Sequence, residues 1–175
     1  FKLIFKKADA IQAISKYLAD FGRDIGTTAP ILVVSNAVDM ERFASDHKVE
    51  EIEEVKVELG KKDGDIFLIH TGRFVIKNAL SDVIDALPLL PVHIKLVLVG
   101  NGPLEESLKK QAMILKLSER VIFKDFVSHD RLPLYLKASD IFIRTPLSEG
   151  FGNSFVEAMA AGLPCIATPV GGIVD

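Results

Sequence analysis

Short apolar stretches alternate with longer amphipathic ones along most of the chain. The short ones are "AIQAIS" (10–15), "ILVVS" (31–35), "DIFLIHTG" (65–72), "VHIKLVLVG" (92–100), "VIF" (121–123), "DIFIR" (140–144) and "CIAT" (165–168). Several are apolar at consecutive positions, the pattern of strands covered on both faces. Between them, apolar residues recur at helical spacing over 50–62, 79–90, 103–117, 130–139 and 154–162. The first of these, "EEIEEVKVELGKK", has acids early and lysines late, as the helix dipole favours. "ALSDVIDALPLL" ends near Pro88 and Pro91, and "PLEESLKKQAMILKL" opens on Pro103.

This alternation predicts an α/β fold, with a Rossmann-like parallel sheet, helices on both faces and right-handed crossovers. Ligands in such sheets lie beyond the carboxyl ends of the strands. The loops at 71–78, 100–103, 124–129 and 145–153 should therefore share one rim. Segment 1–29 fits the alternation poorly, and "PILVVSNAVD" reads as the entry to a new domain. A boundary is expected near Pro30, dividing the chain into 1–29 and 30–175.

Composition removes several classes of function. A chain of 175 residues with a net charge of −3 has no basic footprint for nucleic acid. Cys165 is the only cysteine, which excludes an internal disulfide and a cysteine-rich zinc site and suits a reducing compartment. His47 and His93 have no partners at metal-ligand spacing, so no metal is expected. No apolar run reaches the roughly 18 residues of a membrane span. The start lacks an initiating Met and a signal-peptide cleavage site, and the chain stops abruptly after "GGIVD". Both ends are read as cut points in a longer protein.

The most unusual stretch is "SEGFGNSFVEAMAAGLPCIATPVGG" (148–172). Glu149 and Glu157 flank a loop containing Gly150, Phe151, Gly152 and Asn153. Ser154 and Glu157 have the spacing of a capping box, which gives Glu157 a purely structural alternative. That alternative explains neither Glu149 nor the glycines, which let backbone approach a ligand closely. A helix N-terminus beside two carboxylates suits phosphate and sugar hydroxyls. In "HTGRFVIKNAL", Arg73 and Lys77 are either solvated charges or the cations that neutralise a diphosphate leaving group. Gly100-Asn101-Gly102 begins like a dinucleotide fingerprint, but Glu105 stands where the third glycine belongs, which argues against NAD. A tight turn before a helix is the favoured reading there. His70 is expected to be a satisfied rim residue, His129 to decorate a helix start, and Cys165 to be inert core.

Together these residues resemble the retaining glycosyltransferases of family four, whose GT-B fold has two facing Rossmann-like domains. The resemblance runs from about residue 30 to 175, and 148–172 looks like that family's E-x7-E segment. "GRFVIKNALSDVIDALPLLP", "LVLVGNGPLEESLKKQA" and "VIFKDFVSHDRLPLYLKASDIFI" resemble its other βα units. It implies that this chain is mainly the C-terminal, donor-binding half. Glu157 would then hold the ribose, and Glu149 with Gly150-Phe151-Gly152 the transferred sugar. Arg73 and a neighbouring lysine would hold the diphosphate, with Phe126 and Val127 bordering the base.

The resemblance further implies a metal-independent reaction without a cofactor, in which a UDP- or GDP-linked sugar is the substrate. The acceptor (a sugar, lipid or polysaccharide) would be bound by an N-terminal domain whose last strand and helix are 1–29. The expected compartment is the cytoplasm, with peripheral membrane contact allowed, and the fragment alone should transfer no sugar.

The chain departs from the family at three points. The family's lysine falls at position 78, which is Asn here, with Lys77 one residue earlier. Thr145-Pro146 replaces Pro-Ser, and the linker reads Asn36-Ala37-Val38-Asp39. The alternatives are a nucleotide-sugar epimerase, which the E-x7-E segment opposes, and a non-catalytic nucleotide-binding module.

Overall fold

A computed structural model describes residues 2–175; Phe1, the first residue of segment 1–29, lies outside the described residues. The N-terminal part contains α1 (Lys2–Lys7), β1 (Ile11–Ala13), α2 (Lys16–Asp24) and β2 (Ile31–Val33). Ser15 starts α2 by accepting a hydrogen bond from the Leu18 N–H at 3.1 Å, which satisfies one of the helix's orphan donors. β1 and β2 pair in parallel, Ile11 opposite Ile31, as a separate two-stranded sheet. The boundary expected near Pro30 thus falls between two paired strands, and the change of sheet comes after β2.

The chain continues through α3 (Met40–Ala44) and α4 (Val49–Glu58) into β3 (Ile66–Thr71). Then follow α5 (Leu80–Ala86), β4 (Ile94–Val99), α6 (Glu105–Ile114), β5 (Val121–Lys124), α7 (Leu132–Lys137), β6 (Ile141–Arg144), α8 (Asn153–Ala160) and β7 (Cys165–Ala167). The last five strands form one all-parallel sheet in the order β5-β4-β3-β6-β7. This is the Rossmann-like α/β architecture that the alternation predicts. Pro103 lies in a turn ahead of α6 rather than in its first turn. α5 tightens into a 3-10 turn at Leu87–Leu89, as Pro88 requires.

Consecutive apolar residues in the strands feed two separate cores. Phe67, Ile69, Val97, Val99 and Phe142 face α3, α4, α7 and α8, packing with Phe43, Val55, Tyr135 and Phe155. Leu68, Leu96, Leu98 and Ile143 face the other way, against Leu80, Ile84 and Leu87 and against Leu108 of α6. Each fully buried side chain of this size contributes about 1.5–3 kcal/mol, so the paired cores hold the central strands rigidly. From β3 the chain winds outward to β4 and β5, then returns to build β6 and β7 on the other side. The strand order reverses between β3 and β6, where the carboxyl ends leave a crevice for a ligand.

Candidate functional site

A cavity of about 350 Å³ opens at that crevice, above the carboxyl ends of β3, β4 and β6 and beside the loop after β5. Arg73, Gly100, Asn101, Phe126, Val127, Asn153 and Glu157, all singled out from the sequence, line it. Glu149, Lys77, Gly150, Phe151 and Gly152 are not among its lining residues. The two walls after β3 and β4 are joined backbone to backbone. Gly72 N–H donates to Val99 O at 3.0 Å and Phe74 N–H to Asn101 O at 2.8 Å. Gly100 has φ +136°, and a Cβ there would lie 2.1 Å from Gly72 O. This glycine therefore brings two loops together, in keeping with the tight-turn reading.

The capping-box reading of Glu157 is overturned. Gly152, with φ 87°, is the N-cap of α8, so the helix starts at Asn153, before Ser154. Ser154 Oγ instead accepts a hydrogen bond from Arg144 Nη1 at 2.6 Å. Glu157, in the second turn, is bonded through Oε1 to His129 Nε2 at 3.0 Å. Arg42 Nη1 lies 2.9 Å from His129 Nδ1. A guanidinium can only donate, so Nδ1 accepts and Nε2 carries the hydrogen toward Glu157. His129 is therefore part of the cavity wall, which corrects its reading as a helix-start decoration. The linker reaches the same helix through Asn36 Nδ2, which donates to Asn153 Oδ1 at 2.9 Å.

Glu149 is not part of the cavity lining and is held by its neighbours. Its Oε2 lies 2.5 Å from Arg144 Nη2 and 3.6 Å from Lys77 Nζ, and its Oε1 accepts from the Gly150 N–H at 3.0 Å. Gly150 faces Leu18 of α2, so its small size serves packing against the N-terminal part. Asn78, at the position where the resemblance places a lysine, is buried. Its Nδ2 donates to Arg73 O at 2.6 Å, and its Oδ1 accepts from Arg144 Nη2 at 3.3 Å. Lys77 remains exposed with its ammonium toward Glu149. Arg73 lies exposed on the cavity wall and makes no ion pair among the described residues.

Arg144 and His129 did not stand out in the sequence. The available signal for Arg144 was a charged residue closing the otherwise apolar strand "DIFIR" at the rim. Burial lowers its pKa, and the neighbouring carboxylates Glu149 and Glu157 pull it back up.

Residues 51–175 match the glycosyl transferases group 1 family. The chain belongs to that family. It is 29% identical to alpha-monoglucosyldiacylglycerol synthase of Streptococcus pneumoniae over 163 residues, 91% of this chain and 37% of the relative. It is 30% identical to the GDP-mannose-dependent alpha-(1-6)-phosphatidylinositol monomannoside mannosyltransferase of Mycobacterium tuberculosis, over 94% of this chain and 45% of that protein. Anabaena Alr3699/HepE, solved with UDP and glucose, superposes with a TM-score of 0.89 at 26% identity, covering 98% of this chain and 47% of HepE. The chain thus spans less than half the length of these relatives.

In β3 of this group 1 chain, His70 directly precedes Thr71, which ends the strand and lines the cavity. His70 is 1% exposed, and among the described residues its ring has no polar partner beyond the Ile143 backbone, which lies outside good hydrogen-bond geometry. It is therefore not the satisfied rim residue expected from sequence. Burial above all, and then the Arg144 charge, push its pKa from 6.5 down to about 3. The folded chain thus resists a proton that the unfolded chain accepts. Stability should be full above pH 6.5 and fall with the pH below that value, toward about 3. Between pH 7 and 5 the loss should be roughly 2 kcal/mol. Melting curves of the chain and of His70→Phe across that range check this, since the variant should lose that part of the pH slope.

Among the described residues no group of three or more His, Cys, Asp or Glu could hold a metal ion. Among the described residues no helix is long and apolar enough to cross a membrane.

Proposed function

We propose that this chain is the nucleotide-sugar-binding half of a retaining glycosyltransferase. One observation carries the reading: Arg73, without an ion-pair partner among the described residues, and Glu157, with one oxygen held by His129, line the same cavity at the strand-order switch. A guanidinium suits a diphosphate, and the second oxygen of Glu157 suits ribose hydroxyls. The UDP named in the HepE complexes and the GDP-mannose in the mycobacterial relative's name support a nucleoside diphosphate sugar as donor. Phe126, 74% exposed at the cavity mouth, offers a face to the base.

In this reading Arg73 and Lys77 stabilise the departing diphosphate, and Glu149 with the Gly150–Gly152 loop holds the transferred sugar. No metal or cofactor takes part. The acceptor is held by a second domain. Lipid words in the names of two relatives favour a glycolipid product made by a cytoplasmic enzyme in peripheral contact with a membrane. Transfer needs an acceptor held in line and water excluded, so this chain alone should bind nucleotide and transfer nothing.

Calorimetry with UDP and GDP tests the binding half of this proposal. Arg73→Ala should weaken UDP by about tenfold or more and uridine far less, because charge-assisted contacts to phosphate are the strong ones. Failure of the chain to bind UDP and GDP would overturn the reading, as would an equal loss of UDP and uridine in the variant.

A further inference from the structure

Arg144 lies in the cavity wall with a side chain only 12% exposed. Its end nitrogens are engaged: Nη1 with Ser154, Nη2 with Glu149 and Asn78. Its Nε is buried without a partner among the described residues. Buried donors are nearly always paired, so an orphan at a cavity wall calls for an explanation. The adjoining Thr145 Oγ1 is also buried and unpartnered among the described residues, and the neutral ring of His70 is buried with no well-formed hydrogen bond. Three side chains, on the paired strands β3 and β6 and on the residue just after β6, therefore carry more hydrogen-bonding capacity than the protein satisfies. At the same time Glu149 is saturated on both oxygens by Arg144, Lys77 and the Gly150 N–H. In this arrangement its carboxylate cannot serve a ligand.

We infer that Arg144 is a second arginine for the donor's diphosphate, and that it and Lys77 exchange Glu149 for phosphate oxygens when the donor binds. The inference rests on the nucleotide-sugar reading and extends it to residues that reading did not assign. A planar guanidinium presents a fork to phosphate as readily as to carboxylate. The exchange would satisfy the orphan donor and draw two cations to the leaving group. It also frees Glu149 for the hydroxyls of the transferred sugar. Donor arrival and sugar grip are then one event, because one carboxylate and one phosphate compete for the same cations.

The competition has a signature that a purely structural Arg144 lacks. Removing the charge of Glu149 should tighten the diphosphate, because Arg144 and Lys77 are then released at lower cost. Calorimetry should show Glu149→Gln binding UDP about three- to tenfold more tightly than the unmodified chain, with uridine unchanged. Arg144→Met should weaken UDP about tenfold or more and uridine little, and Arg144→Lys should recover part of that loss. In the Arg144→Met background, the gain from Glu149→Gln should shrink.

Glu149→Gln keeps an acceptor for Arg144, so its arm is readable even where Arg144→Met fails to fold. UDP affinity unchanged or weakened by Glu149→Gln overturns the exchange. So does an equal loss of UDP and uridine in the arginine variants. If the unmodified chain binds neither UDP nor GDP, the nucleotide reading falls first and the exchange with it.

Discussion

Glu157→Ala should lower the affinity for UDP or GDP by about a hundredfold or more while the fold survives. Hydrogen bonds to a charged group contribute about 1.5–3 kcal/mol each. Two ribose hydroxyls on one carboxylate give a difference of about 3–6 kcal/mol, and each 1.4 kcal/mol is tenfold in binding. The structural cost should be small for a reason visible in α8. The helix is started by Gly152, and Glu157 lies beyond the first turn, so its removal orphans no helix N–H. What is lost is the contact with His129, whose side chain is 53% exposed. Such a contact is worth below about 1 kcal/mol. Calorimetry and thermal melts of the same sample separate the two effects. A lowered melting temperature with unchanged nucleotide affinity would remove Glu157 from the site.

Much of this site was legible before any coordinates because strands buried on both faces write their burial into consecutive positions. "IFLI" and "LVLV" are apolar at consecutive positions, so the strands, a parallel sheet and the rim of loops at their ends follow from pattern alone. Residues placed on that rim by sequence position, such as Arg73, Asn101 and Val127, indeed line the cavity. Pattern fails where a role is made by tertiary contact. Ser154 and Glu157 have capping-box spacing, but a left-handed glycine starts the helix before them. His129 gains its place only because Arg42 of α3, far away in sequence, fixes its tautomer. Arg144 reads as the polar end of a strand until Glu149, Asn78 and Ser154 fold over it. The pairing of β1 with β2 is likewise invisible to local pattern, since three-residue strands carry too little periodicity to announce a partner.

Gly100→Ala should be the most damaging small substitution on the cavity wall. Two costs coincide there. The backbone holds φ +136°, which side chains rarely adopt, and the added methyl would lie 2.1 Å from Gly72 O and 3.0 Å from Gly72 C. Backbone strain of this kind costs about 1–3 kcal/mol, and forcing an atom into closed packing adds about 1–3 kcal/mol. The obstacle is main chain, which cannot rotate aside, so the loops after β3 and β4 must separate. That would break the Phe74 N–H to Asn101 O and Gly72 N–H to Val99 O bonds and carry Arg73 and Asn101 out of position. The variant should therefore lose about 2–6 kcal/mol of stability and, where still folded, most of its nucleotide binding. Gly64→Ala is the control. Its φ of +82° is also unfavourable to a side chain, but a Cβ there meets nothing within 4 Å. It should cost only about 1–2 kcal/mol and leave UDP affinity alone. Denaturant melts of the two variants beside UDP titrations decide the matter. Equal destabilisation by both would mean that backbone strain alone acts at Gly100, and that the joined loops do not hold the cavity together.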